Sequence, residues 1–154
     1  MAKKQEAEKH ESKKDETKGA MTADCIFCKI VDGKIPSKKF YEDNTVIAFL
    51  DINPAAFAHS LVVPKLHFKT IVDGTPDQVG KTFIGVKNVT EHMKTRLKCD
   101  GFNILINQGR EAGQIIEHFH IHVVPRFKSD NIRFIPPDHK ASDAELDQAF
   151  NKLK

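Results

Sequence analysis

The chain has 154 residues, of which 40% are hydrophobic, and a formal net charge of +3 at pH 7. This length suits one domain with a core of its own and is short for two. The apolar fraction excludes a wholly disordered chain. The small net charge and the absence of Trp argue against a broad nucleic-acid surface. No segment approaches the roughly 20 apolar residues that a membrane span needs, so we expect no membrane partner.

Two other features of composition bear on organisation and location. Residues 1–22 interleave lysines with acidic residues and contain almost nothing apolar. We predict a disordered charged tail there, with a nuclear signal or an RNA-binding arm as the functional alternative. We expect a folded domain over residues 23–127 and a C-terminal extension over residues 128–154. The odd number of cysteines and the absence of a signal-like segment favour a reduced protein of the cytoplasm, or of the nucleus.

The first half of the domain contains three predicted strands and one long helix. Residues 38–42 and 45–50 form a hairpin across Asp43-Asn44, and Ser60–Pro64 is a third strand. Thr75 as the cap, with Pro76 in the first turn and Gln78 bonding back, predicts a helix over residues 75–98. Its buried stripe is expected to consist of Val79, Phe83, Val86, Met93 and Leu97.

The second half contains two more predicted strands, residues 101–107 and 117–125, separated by a loop with Gly109 and Gly113. Ser142 and Glu145 form a second capping box, which opens a short helix to about Leu153. Strands, one helix and then strands predict an α+β domain with a mainly antiparallel five-stranded sheet.

The last strand carries an unusual pattern, in which His118, His120 and His122 alternate with apolar residues. The period of two sends all three imidazoles to one face, roughly 6–7 Å apart along the strand, and Phe119, Ile121 and Val123 to the core. Such histidines can bind a metal, or can supply a nucleophile with neighbours that set its tautomer. Three solvated surface histidines are the structural alternative.

This His-φ-His-φ-His-φ-φ pattern resembles the signature of the histidine-triad (HIT) nucleotide-binding family. The surrounding sequence is similar to its Hint branch, the nucleoside phosphoramidases, in their microbial zinc-containing form. Four further segments carry the resemblance: residues 25–30 (CIFCKI), 49–54 (FLDINP), 59–65 (HSLVVPK) and 107–109 (NQG). The resemblance covers residues 24–127 and implies the HIT-like fold, with one long helix and a short C-terminal helix.

The resemblance implies a role for each histidine. His120 attacks the α-phosphorus and carries a transient nucleotidyl group, which water then removes. His122 contacts the phosphate or protonates the leaving group, and His59 lies behind His120 and orients it. Asp51 accepts hydrogen bonds from the ribose hydroxyls, although its position before Ile52-Asn53-Pro54 also suits a turn-forming acid.

The resemblance also implies a slot for the base and a lining for the phosphate. Asn107, with the backbone of Gly113 and Gln114, lines the phosphate and leaving-group side. Apolar residues form the base slot, although the two phenylalanines among them also suit plain core: Ile26, Phe27, Ile30, Phe49 and Ile52. One departure concerns Ile115, since many relatives have a Ser or Thr there that relays a proton to the leaving group.

The implied activity is hydrolysis of a purine nucleoside phosphoramidate to a nucleoside monophosphate and an amine. Two alternatives remain open: a dinucleoside polyphosphate hydrolase, and a zinc-stabilised dimeric module that binds nucleotides or a protein with little turnover. The resemblance also implies a homodimer that pairs residues 75–98 and the strand edge at residues 103–107.

Cys25 and Cys28 have the spacing of half a zinc site, which needs two more ligands. In similar microbial family members His67 and His118 complete a structural site, so the resemblance implies structural zinc. A reduced bystander pair and a redox pair are the alternatives. A catalytic metal held by all three triad histidines is disfavoured, because the implied structural site already uses His118 as a ligand together with the two cysteines. Cys99 is expected to be a buried apolar residue.

Overall fold

The computed structural model describes residues 23–134 and 140–154, so the tail predicted over residues 1–22 lies outside them. Five antiparallel strands form one sheet in the order β1-β2-β3-β5-β4. The strands are β1 (Lys39–Glu42), β2 (Val46–Leu50), β3 (Ser60–Pro64), β4 (Gly101–Leu105) and β5 (Ile121–Arg126). The helices are α1 (Ile26–Val31), α2 (Pro76–Leu97) and α3 (Asp143–Leu153). The predicted α+β fold is confirmed.

Helix α2 begins and ends as its sequence predicts. The Thr75 side chain accepts from Gln78 N–H, and the Gln78 side chain accepts from Thr75 N–H, so the capping box is present. The helix stops at Lys98, which adopts the left-handed conformation. Helix α3 likewise starts with a complete capping box between Ser142 and Glu145.

The prediction for the buried face of α2 is wrong at Phe83, whose side chain is 40% exposed. Val79 and Leu97 are only half-buried. The face toward the sheet is instead set by small and β-branched residues, and a methyl group added at Gly85 would lie 2.5 Å from Val46 Cγ2. The side of α2 that can approach the sheet most closely is therefore the side that is buried. The buried residues are Thr82, Gly85, Val86, Val89 and Met93.

Alternation along the strands divides the core into two clusters. Phe119, Ile121 and Val123 are fully buried in the cluster beneath α2, which confirms their predicted place in the core. The second cluster lies on the other face of the sheet, beside α1. It contains Phe27, Ile47, Phe49, Leu61 and Val63.

Two strand ends differ from prediction by two residues or more, and one helix was not predicted. β5 begins at Ile121, because the backbone just before it bonds outside the sheet. His118 N–H donates to Ile116 O, and Phe119 N–H donates to Phe68 O at 2.7 Å. β4 ends at Leu105, and the short helix α1 has no counterpart among the predicted elements. No helix among residues 23–134 and 140–154 is long and apolar enough to cross a bilayer.

Candidate active site

Backbone carbonyls determine the tautomers of His118 and His120. His120 Nδ1 lies 2.6 Å from His118 O, and His118 Nε2 lies 2.9 Å from Pro64 O. A carbonyl oxygen only accepts, so each of these nitrogens carries a hydrogen and donates it. The opposite nitrogen of each ring then has a lone pair. His120 therefore presents a lone pair at Nε2 that could act as a nucleophile, and His118 presents one at Nδ1 that could bind a metal.

The tautomer of His122 is determined through His59. Ala55 N–H donates to His59 Nδ1 at 3.0 Å, so His59 Nε2 carries the hydrogen. That nitrogen lies 2.9 Å from His122 Nδ1, which must accept. His122 is therefore left with a donor at Nε2, the opposite of His120. The resemblance implies that His59 lies behind His120, whereas the structure places its ring against His122.

The rings are closer together than an extended strand alone requires. The ring centres of His120 and His122 are 5.1 Å apart, edge to face, and those of His59 and His122 are also 5.1 Å apart. Phe27 of α1 lies edge-on to His120 at 5.1 Å. The bend before β5 thus packs the triad against α1 as well as along the strand.

Burial keeps these imidazoles neutral. Desolvation lowers the pKa of His120, opposed by its hydrogen bond to His118 O and by the charge of Asp51. Desolvation, with a smaller contribution from His120 and His59, lowers the pKa of His122 to about 4. Desolvation also lowers the pKa of His59. A neutral imidazole has the lone pair that a nucleophile needs.

Cys25, Cys28, His67 and His118 converge on one point, with donor atoms within 4.8 Å of one another. His118 Nδ1 lies 3.4 Å from Cys25 Sγ, 3.6 Å from Cys28 Sγ and 3.2 Å from His67 Nδ1. Tetrahedral zinc with bonds of about 2.0 Å to nitrogen and 2.3 Å to sulfur separates its ligands by roughly 3.3–3.8 Å. The donor set and its spacing fit this ion, so the cluster could bind zinc.

A second group, formed by Asp51, His59 and His122, also has donor atoms within 4.8 Å of one another. Its hydrogen bonds do not suit a metal. His59 Nδ1 already accepts from Ala55 N–H, so the His59 Nε2 that faces the group carries hydrogen and has no lone pair. Ala55, His59 and His122 instead form a hydrogen-bond relay, and Asp51 Oδ2 lies 3.8 Å from His59 Nε2 at its edge.

The family model for the HIT domain matches residues 32–129. The chain belongs to the HIT family. A HIT-like protein of Methanocaldococcus jannaschii is 42% identical over 84% of this chain and 98% of its own.

Two HIT relatives carry names that describe an activity. The adenylylsulfatase HINT3 of Arabidopsis thaliana is 41% identical over 70% of this chain and 54% of its own length, so the match spans about half of that protein. An adenosine 5′-monophosphoramidase of Candida albicans is 39% identical over 70% of this chain and 77% of its own.

Solved HIT structures share the fold. One from Streptococcus mutans superimposes with a TM-score of 0.80 at 39% identity, covering 89% of this chain and 87% of its own. A zinc-bound histidine triad protein from Mycobacterium smegmatis has a TM-score of 0.68 at 36% identity, covering 84% of this chain and 95% of its own.

Of the residues predicted to form the base slot of this HIT protein, some are buried and others are exposed. Phe27 and Phe49 are buried in the second core cluster, with Ile30 packed against it. Ile26 is 42% exposed and Ile52 is 91% exposed. The phenylalanines therefore belong to the core, whereas the two isoleucines present exposed apolar surface.

The two carboxylate oxygens of Asp51 lie in different surroundings. Its Oδ1 accepts from Asn53 N–H at 2.8 Å, the turn expected of an acid at this place. Its Oδ2 faces His59. One carboxylate oxygen thus shapes the loop between β2 and β3, and the other points toward the histidine relay.

In the loop between β4 and the triad, two backbone N–H groups donate to carbonyl oxygens of the same loop. Gly113 N–H donates to Arg110 O and Gln114 N–H donates to Gly109 O. These two backbone groups, which the resemblance places beside the phosphate, are already bonded in this conformation. The Asn107 side chain faces Gly113, since a methyl group added there would lie 3.8 Å from Asn107 Nδ2.

Sequence reasoning missed the side-chain role of Gln114, which is buried. Its Oε1 accepts from Gly109 N–H, and its Nε2 donates to Lys69 O and Ile116 O. Gln114 therefore clamps the loop to the segment after β3. No local pattern indicates this contact, because Lys69 is 45 residues away in the chain.

Proposed function

We propose that this protein is a nucleotide hydrolase in which His120 forms a covalent bond to the α-phosphorus of a purine nucleotide conjugate. The observation that carries the proposal is the His118 O to His120 Nδ1 hydrogen bond of 2.6 Å. It orients the ring and leaves the Nε2 lone pair as the nucleophile. The substrate class we propose is a purine nucleoside phosphoramidate.

The reaction has two steps. In the first, His120 Nε2 attacks phosphorus, the P–N bond breaks, and the amine takes the electron pair and a proton from solvent. In the second, water attacks phosphorus, the P–Nε2 bond breaks, and the nucleoside monophosphate is released. Positioned N–H donors stabilise the charge that grows on the phosphoryl oxygens.

His122 is the donor that the first step requires. Its Nδ1 accepts from His59, so its Nε2–H is directed elsewhere. Because His122 is neutral near pH 7, it stabilises the phosphoryl oxygens by donating a hydrogen bond from Nε2–H, while the proton taken by the departing amine comes from solvent. His59 is a positioning residue that acts through His122.

Asp51 and the two exposed isoleucines bind the nucleoside in this proposal. The carboxylate accepts hydrogen bonds from the ribose hydroxyls. Ile26 and Ile52 cover the faces of the base, above the floor formed by Phe27 and Phe49. Asn107 lies at the other end of the site, beside the leaving group.

Zinc is structural in this proposal. Cys25, Cys28, His67 and His118 would supply two thiolates and two imidazoles, which would leave no open position to activate water. A bound ion would join α1, the segment after β3 and the segment before β5. The relative from Mycobacterium smegmatis is described as zinc-bound. Metal-binding thiols suit a reducing compartment, and we place the protein in the cytoplasm.

We also propose a homodimer that pairs α2 and β4. β4 lies at an edge of the sheet, and exposed apolar side chains lie on both elements: Phe83, Ile84 and Ile104. Pairing two β4 edges covers unbonded backbone groups. Ile84→Asp is expected to yield a monomer in light scattering, whereas Lys81→Asp, an already polar position on the same helix, retains the dimer.

The relatives support the chemistry. One is named an adenosine 5′-monophosphoramidase and another an adenylylsulfatase. The test is turnover of adenosine 5′-phosphoramidate by the wild type and by His120→Ala, with circular dichroism to verify folding. We expect loss of at least a thousandfold in kcat and, for the wild type, an acid-labile phosphorus adduct at His120. Full activity in His120→Ala would overturn the proposal.

Two other functions give different results in the same assay. A dinucleoside polyphosphate hydrolase turns over diadenosine triphosphate faster than the phosphoramidate. A binding module binds nucleoside monophosphate in calorimetry but releases no product from either substrate.

A further inference from the structure

A tight turn lies directly before β3 and ends at His59. His59 N–H donates to Ala56 O at 3.1 Å, which closes the turn over residues 56–59. The same turn brings Ala55 N–H to His59 Nδ1 at 3.0 Å. His59 O accepts from Asp51 N–H at 2.9 Å, so the backbone of His59 is bonded on both sides of its side chain. The direction in which the His59 ring points therefore depends on the conformation of this turn.

The turn requires a backbone conformation that its sequence does not favour. Ala58, the third of its four residues, has a φ of 58°, whereas the φ of Phe57 is not positive. A positive φ at the third residue alone is the pattern of a type II turn, in which glycine or asparagine normally occupies that place. Alanine has a Cβ atom, so the left-handed conformation costs free energy at Ala58. A contact from outside the turn must offset this cost.

The hydroxyl of Ser60 supplies such a contact. Ser60 Oγ donates to Ala58 O at 2.8 Å, which fixes the peptide group between Ala58 and His59. Ser60 is fully buried, so water does not compete for this hydrogen bond. The backbone of Ser60 belongs to β3, where the next residue, Leu61, lies opposite His122 of β5. The hydroxyl therefore joins the turn to the pair of strands that carries His122.

We propose that Ser60 is a positioning residue for the reaction. Its hydroxyl holds Ala58 in the left-handed conformation, and the turn then directs His59 Nε2–H to His122 Nδ1, 2.9 Å away. The role of Ser60 rests on the proposed function, in which His122 donates a hydrogen bond from Nε2 to the phosphoryl oxygens. Ser60 acts through His59, because its own hydroxyl is buried and bonded to the turn.

The first experiment removes the hydroxyl alone, in Ser60→Ala, with circular dichroism to verify folding. With adenosine 5′-phosphoramidate, kcat should fall about tenfold and KM should change less than about twofold, because a buried hydrogen bond is lost and no substrate contact is. Long-range proton–nitrogen correlation spectra recorded without substrate give a second measurement. His122 should carry its hydrogen on Nε2 in the wild type and populate both tautomers in Ser60→Ala.

A second substitution separates the turn from a general loss of stability. Ala58→Gly places glycine where a positive φ has no steric cost, so the turn no longer needs the hydroxyl. In the Ala58→Gly background, Ser60→Ala should lower kcat less than about threefold and leave the His122 tautomer unchanged. In the His59→Leu background, Ser60→Ala should cause no further fall in kcat, because the residue that it positions is gone.

Thr82→Val is the matched control. Thr82 is also buried, and its Oγ1 donates to Gln78 O at the same distance of 2.8 Å, but it lies in α2. Valine retains the shape of threonine and lacks the hydroxyl. Whatever the change in Tm, kcat and the His122 tautomer should remain those of the wild type.

An unchanged kcat in Ser60→Ala, or a lower kcat with the wild-type tautomer at His122, would overturn the positioning role. An equal loss of activity in the Ala58→Gly background would also overturn it. Failure of the proposed function gives a different result: the wild type releases no product, or His120→Ala remains active. The tautomer of His122 in Ser60→Ala would then still decide whether Ser60 positions His59, because that measurement needs no substrate.

Discussion

The main-chain oxygen of His118 accepts a hydrogen bond from Nδ1 of His120 at 2.6 Å. The imidazole of the same His118 belongs to the cluster with Cys25 and Cys28. His118 therefore joins the candidate metal-binding cluster to the proposed nucleophile, by its ring on one side and its carbonyl on the other. A shift of the His118 backbone would affect both.

The first prediction concerns tautomers. Near pH 7, His120 should carry its hydrogen on Nδ1 and His122 on Nε2, because their partners are a carbonyl acceptor and the His59 donor respectively. Long-range proton–nitrogen correlation spectra distinguish the two forms. Identical tautomers at both positions would contradict the hydrogen-bond scheme.

The second prediction concerns His59. His59→Leu removes the donor to His122 Nδ1, and kcat should fall roughly a hundredfold with little change in KM, since the loss frees the His122 ring and weakens its hydrogen bond to the phosphoryl oxygens. His59→Gln retains an N–H donor and should recover part of the rate. A merely structural role predicts equal losses in both variants and an unchanged His122 tautomer in the nitrogen spectrum.

The third prediction concerns metal. Purified protein should contain about one zinc per chain, and Cys25→Ser should lower both the zinc content and Tm, because the ion binds the folded state alone. Cys99→Ala, which alters a buried cysteine outside the cluster, should retain the zinc. Chelation that abolished turnover at a temperature where the protein stays folded would instead indicate a catalytic metal.

The fourth prediction concerns acid stability. Burial holds the pKa of His122 at about 4, below the ordinary 6.5, so the unfolded chain binds this proton more readily than the folded protein. The stabilising effect of a neutral His122 is complete above about pH 6.5 and is lost as pH falls toward 4. Urea unfolding at about pH 7 and pH 5 should show a larger loss in the wild type than in His122→Gln. Equal losses would exclude this contribution.

The fifth prediction uses two glycines of α2 as a matched pair. A methyl group at Gly80 meets nothing within 4 Å, so Gly80→Ala should raise the free energy of unfolding by about 0.5–1 kcal/mol. A methyl group at Gly85 would lie 2.5 Å from Val46, so Gly85→Ala should lower the free energy of unfolding by about 1–3 kcal/mol. Denaturant unfolding measures both, and a gain at Gly85 would refute the close helix–sheet contact.

Local signals predicted much of the fold. The capping boxes at Thr75 and Ser142 depend on residues three positions apart, and both are present. The alternation that buries Phe119 and Ile121 follows from strand geometry. Hydrophobic periodicity did not predict the exposure of Phe83. The close contact between α2 and β2 buries a neighbouring face of the helix, which includes Gly85.

The sequence by itself determined the family resemblance, the order of the elements and the residues gathered at the site. Only the tertiary structure decided which nitrogen of each imidazole carries hydrogen. The partners responsible, Pro64 O for His118 and Ala55 N–H for His59, are backbone groups that nearly every residue type presents. Pro64 is 54 positions from His118, so no local pattern includes it. The identity of the site's side chains was therefore predictable from the sequence. The orientation and tautomer of each imidazole depended on which distant backbone segments lie next to it.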